Sequence, residues 1–198
     1  MVQSTRFVSA LVLGLLFVIP STSDAGPPLI CHPFQTEGAP LLPWGDGSSW
    51  NTPDNQYDER NLVQDTLRLL SPTASVLARM ENLRRATIYA SRDGRVADQL
   101  LAAVTARAQV PNVDPTALFD AGYLIESYKQ AVHLHRRTIP TADGYAMVRR
   151  AIAASNGHSE MEFAASLMTQ GAISEAHRRR AQAGASAGSL LARNLSSY

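Results

Sequence analysis

The chain has one cysteine, Cys31, and one lysine, Lys129, in 198 residues. A lone thiol excludes an intrachain disulfide, a C-x-x-C redox pair and a multi-thiolate zinc site, so the fold must stand on packing. Scarce lysine beside abundant arginine reads as the mark of a GC-rich genome, so the arginines are not read as selected phosphate binders. Charge of one sign is also missing: the formal net charge is +1. That balance excludes a strongly basic nucleic-acid binder and a strongly acidic scaffold. No strand-like alternation stands out, and neither H-E-x-x-H nor a Gly-rich phosphate loop is present.

Long apolar runs are scarce too. The main one, Phe7 to Pro20, is too short for a spanning helix, which needs roughly 20 residues. Arg6 precedes it, and the small residues Ser23 and Ala25 follow at the −3 and −1 positions of a cleavage site. This is the pattern of a secretory signal peptide, residues 1–25, cut after Ala25. The expected product is an exported protein, periplasmic or extracellular, with no transmembrane segment in the mature chain. Its charge is uneven: residues 26–128 carry 8 basic and 12 acidic side chains, and residues 129–198 carry 9 and 4. Such polarity suits either an anionic partner for the second half or self-complementary halves.

Six of the 11 prolines fall within residues 26–55, together with both tryptophans. Proline at that density opposes helices and central strands, so this stretch is expected to be a non-helical arm. Phe34, Trp44, Trp50 and several leucines argue that it packs on a body rather than hanging free.

Residues 56–198 read as a single α-helical domain of about seven helices. Leu62, Thr66 and Leu70 begin the 3.6-residue stripe. Asp93 and Asp114-Pro115 are helix starts, Asn156-Gly157 is a helix stop, and Ser159 and Ser174 are further starts. Glu81 and Arg85, at i,i+4, are assigned to a wet face. The stretch Ala117 to Ala131, ALFDAGYLIESYKQA, resembles the first helix of a tetratricopeptide unit in its small residues and tyrosines. The resemblance implies antiparallel helix pairs. The fold is therefore all-α, either an irregular helical bundle or a short tetratricopeptide-like array of helix pairs.

Candidate sites are few. Cys31-His32, kinked by Pro33, could supply a thiolate and an imidazole to a metal; otherwise Cys31 is a small buried hydrophobe. His133 and His135 share a face only on an extended segment. Asp120, Tyr123, Glu126 and Tyr128 could do acid–base work or form a solvated helix edge. Trp44 and Trp50 could clamp a ligand or anchor the arm. Arg178, Arg179 and Arg180 could dock an acidic partner or a membrane surface, or simply sit at a solvated helix end. The expected role is a non-enzymatic interaction or scaffold module with a protein partner, no nucleic acid and no cofactor. The alternative is a small metal- or ligand-binding protein centred on Cys31 and His32.

Overall fold

The computed structural model describes residues 28–47, 49–132, 134 and 140–198. The signal-peptide reading of residues 1–25 and the His133–His135 pair fall outside them. The described residues form only helices, turns and loops. The helices are α1 Pro28–Cys31, α2 Leu62–Leu69, α3 Val76–Ala90, α4 Gly94–Arg107, α5 Pro115–Gln130, α6 Gly144–Ala154, α7 Ser159–Met168, α8 Gly171–Ala183 and α9 Leu190–Ser196. A 3₁₀ turn, Glu59–Asn61, leads into α2.

Short polar side chains open most of them. Ser75, Asp93, Asp114, Asp143 and Ser189 each accept a backbone N–H in the first turn of the helix that follows. That satisfies one of the amides a helix start leaves unpaired. Two starts differ from the sequence expectation. Ser159 is the first residue of α7 rather than its cap, and α8 begins at Gly171, three residues before Ser174. Ser174 instead donates its hydroxyl to the Ser166 carbonyl at 2.7 Å, joining α8 to α7. The arm also contains one helical turn, α1, which begins at Pro28, a position where a missing N–H costs nothing.

The architecture is an irregular bundle. α5 packs against α1, α3, α4, α6 and α7, whereas a solenoid would restrict each unit to its neighbours. Phe119, Tyr123 and Leu124 of α5 are fully buried, as are Leu77, Met80, Leu83 and Tyr89 of α3. α5 and α6 touch almost backbone to backbone. Gly122 faces the Gly144 carbonyl and Gly144 faces the Gly122 carbonyl, so a Cβ at either position would collide with main chain. No helix among the described residues is long and apolar enough to cross a membrane.

Candidate functional site

The arm poses a problem of backbone chemistry. A proline-rich, largely extended segment forms no ladder of its own, yet its buried N–H and C=O groups still require partners. α3 supplies them. The Phe34 N–H donates to Glu81 Oε2 at 3.0 Å, and the Leu42 N–H donates to Asn82 Oδ1 at 2.9 Å. Asn82 Nδ2 donates to the Pro40 carbonyl at 3.1 Å. Arg84 Nη1 donates to the carbonyls of Ile30 (3.2 Å) and Trp50 (2.9 Å), and Arg85 Nη1 to that of Leu42 (2.6 Å). Tyr89 donates its hydroxyl to the Pro43 carbonyl and accepts from the Asp54 N–H. One helix thus clasps the arm at seven residues between Ile30 and Asp54.

Glu81 is the centre of that clasp and is not on a wet face. Its side chain is 1% exposed, because the arm covers the side of α3 that local periodicity assigns to solvent. Both carboxylate oxygens bind Arg84, and Oε1 also accepts from Arg85 Nε at 2.7 Å. The two guanidiniums lie over the Trp44 ring, 5.0 Å and 5.3 Å from its centroid. Trp44 also meets Tyr89 edge-on, and Trp50 packs on a small cluster of Ile30, Ile88 and Ala131. Both tryptophans therefore contact the body of the fold.

Asp120 is buried as well, so α5 presents no solvated edge there. Its Oδ2 accepts from Arg79 Nη1 at 2.6 Å and from Arg107 Nη1 at 3.2 Å. Arg79 donates onward to the carbonyls of Ser71 and Ala74, and Arg107 to that of Leu70. Leu70 caps the end of α2, and Ser71 and Ala74 lie in the loop between α2 and α3, so the two arginines tie that loop to α5. Burial pushes the Asp120 carboxyl up to about 6, against the pull of Arg79 and then Arg107. Asp120 Oδ1, Tyr123 Oη and Ser127 Oγ, one face of α5, are buried without a hydrogen-bond partner among the described residues. Burial holds the Tyr123 phenol well above its ordinary value. All three side chains are fully buried. Glu126 is used structurally, accepting from Lys129 Nζ and the Tyr145 N–H.

A third cluster joins α6, α7 and α8. Glu162 Oε2 pairs with His177 Nδ1, its Oε1 accepts from Arg180 Nε at 2.8 Å, and His177 Nε2 lies 2.7 Å from the Tyr145 hydroxyl. Arg180 Nη2 also lies 2.7 Å from the same Nδ1, so the three side chains close into one cluster. The three consecutive arginines diverge from here. Arg180 serves this cluster, Arg178 donates to the Leu195 carbonyl at 2.8 Å, and Arg179 is exposed. They do not form one flat patch.

Cys31 and His32 part company. The thiol sits at the end of α1 against the Ile30–Ile88–Ala131 cluster, and burial raises its pKa despite the opposing charge of Arg84. The His32 ring instead stands edge-on to Tyr198, 5.2 Å between centroids, and its carbonyl accepts the Tyr198 hydroxyl at 2.9 Å. Among the described residues no group of three or more His, Cys, Asp or Glu side chains is placed to hold a metal ion.

His32 does line a cleft of about 580 Å³ where the arm, the α7–α8 junction and the C-terminal segment meet. Leu167, Tyr198 and Pro28 supply apolar surface there, and Glu175 and Arg178 supply opposite charges. Polar side chains without a hydrogen bond to any described residue, His32 and Glu175, converge on this concavity. Motif reading of the sequence missed Glu175, whose only signal is its spacing from Arg178. It also missed Gly184-Ala185-Ser186-Ala187-Gly188, which has the G-x-S-x-G spacing of a nucleophile elbow. An elbow needs a strand before the serine and a helix after it. Here the run links α8 to α9, and exposed Ser186 shares a shallow cleft with His158 and Glu160 but hydrogen-bonds neither. The chain matches no family model, no curated protein and no solved structure.

Proposed function

We propose that the protein is an exported, non-enzymatic interaction module and that its binding surface is the cleft bounded by His32, Glu175, Arg178 and Tyr198. The observation that carries this reading is a contrast in how charge is used. Glu81, Asp120 and Glu162 are buried and bonded to arginines that tie the arm, the α2–α3 loop and the last helices together. Glu175 and the His32 imidazole hydrogen-bond to no described residue, yet both face one concavity. Buried charge of the first kind serves the fold, whereas exposed complementary charge around an apolar floor serves recognition. Ile173, next to Ser174 at the start of α8, is 54% exposed and adds an apolar contact at this end of the helix.

A photo-crosslinking side chain at Ser197, on the cleft wall, tests the proposal in the native export compartment. Gln99, exposed on α4, is the control position. A discrete adduct from Ser197 that is lost in Arg178→Glu supports the reading. Equal labelling from both positions contradicts it. The secretory assignment is tested on the same material, whose amino terminus should be Gly26.

His32 in the cleft also favours a second reading, in which the cleft holds a small ligand. Intact native mass of protein isolated without reductant tests it. A stoichiometric added mass would support this reading.

A further inference from the structure

We propose that the cleft binds the two charged ends of a short, unblocked apolar peptide, a dipeptide being the best match; this rests on the interaction reading above. Glu175 and Arg178 are three residues apart on α8, where side chains are neighbours with Cβ atoms about 5–6 Å apart. Such a pair ordinarily closes on itself. Here Arg178 Nη2 reaches instead to the Leu195 carbonyl at 2.8 Å, and the Glu175 carboxylate meets no donor among the described residues. One negative and one positive pole are left facing the same space.

The rest of the lining narrows the ligand. A guanidinium has five N–H donors, so the bond to Leu195 leaves Arg178 able to take a carboxylate. Glu175 takes an ammonium. Consecutive Cα atoms are 3.80 Å apart, so a dipeptide separates its charged ends by one residue and brings two side chains, which suits a cleft of this volume better than a single amino acid. Leu167, Pro28 and the Tyr198 ring offer an apolar floor for its side chains. The Ser174 hydroxyl, already donating to Ser166, keeps lone pairs free to accept a peptide N–H. A volume of about 580 Å³ lies inside the range of small-ligand pockets, roughly 300–1,000 Å³.

The test is titration of the mature protein with leucyl-leucine, its N-acetyl form and its C-terminal amide, followed by amide NMR. Saturable shifts at Ser174, Ser197 and Tyr198 are expected with the free dipeptide, with at least tenfold weaker binding when either end is blocked. Glu175→Gln, an exposed change that removes no hydrogen bond, should weaken the free dipeptide and leave the N-acetyl form unaffected. Arg178→Gln should do the converse with the amide, its folding verified by an unchanged unfolding midpoint. Equal binding of blocked and free forms, or no saturable shift at millimolar dipeptide, overturns the inference. If dipeptide binding fails while the Ser197 adduct persists, only the ligand class is wrong. If both fail, the interaction reading falls with it.

Discussion

Glu81 and Arg84 form a two-pronged ion pair, Nε to Oε2 at 2.8 Å and Nη2 to Oε1 at 2.8 Å, with neither side chain more than 1% exposed. Isolated, such a buried pair would stabilise little, because desolvating two charges offsets their attraction. This one also satisfies the backbone of a segment that cannot satisfy itself, through Phe34, Ile30 and Trp50. The pair is how an arm rich in proline becomes part of the core.

Glu81→Ala should therefore cost about 3–5 kcal/mol, the range for removing one member of a buried ion pair. It leaves two guanidiniums without their carboxylate and the Phe34 N–H without an acceptor. Urea unfolding should show a lower midpoint, and proteolysis should cut first within residues 40–56. Glu81→Gln keeps an acceptor for Phe34 and should lose less. A midpoint equal to wild type in Glu81→Ala would contradict this role.

Asp120 imposes a pH dependence of unusual sign. Its carboxyl is raised to about 6 in the fold, against about 3.9 in an unfolded chain. Between those values the folded state holds a proton that the unfolded state has released, and the unpaired Oδ1 is the oxygen free to carry it. The contribution of this site to stability is thus fully present below about pH 4 and is lost as pH rises through about 6. Urea midpoints of wild type and Asp120→Asn, compared from pH 4 to 6.5, isolate it. The gap between the two proteins should shift with pH in wild type's disfavour as pH rises. A pH-independent gap would show that the site does not titrate there.

Gly122 and Gly144 let α5 and α6 approach main chain to main chain. A Cβ at either glycine meets a carbonyl oxygen that only a helix shift could move. Gly122→Ala and Gly144→Ala should each cost about 1–3 kcal/mol, as overpacking does. Thermal unfolding would measure this. A neutral alanine at both positions would mean that the helices separate without penalty.

Cys31 should react slowly. Burial raises its thiol pKa, Arg84 offsets only part of that rise, and the thiolate is the reactive form. An aromatic disulfide reagent at pH 7 should modify Cys31 much more slowly in the folded protein than in urea. Equal rates in the two conditions would place the thiol in open solvent.

Most helices were legible in the sequence because their signals are local. The apolar spacing of Leu62, Thr66 and Leu70, the caps Asp93 and Asp114-Pro115, and the stop at Asn156-Gly157 need no knowledge of the rest of the chain. Both stop residues have positive φ, 54° and 82°, as a helix end of this kind requires. Glu81, Asp120 and Glu162 were illegible for the opposite reason. A carboxylate on a helix reads as wet unless a distant segment covers it, and here the cover comes from the arm, the α2–α3 loop and α8. The choice of bundle over solenoid was hidden in the same way, since it depends on α1, α3 and α7 all reaching α5. Of the cleft, His32 and Arg178 stood out by their neighbours in sequence. Glu175 did not, because an acid and a base three residues apart on a helix ordinarily neutralise each other.

The most direct test of the arm as an integral layer of the fold is amide hydrogen exchange at Phe34 and Leu42. These N–H groups end on Glu81 and Asn82, not on any regular element of their own. If α3 holds the arm as described, both amides should exchange with protection close to that of the α3 core around Leu83. Exchange as fast as that of the exposed turn residues Val110 and Asn112 would mean that the arm opens independently, and the clasp would not be part of the cooperative fold.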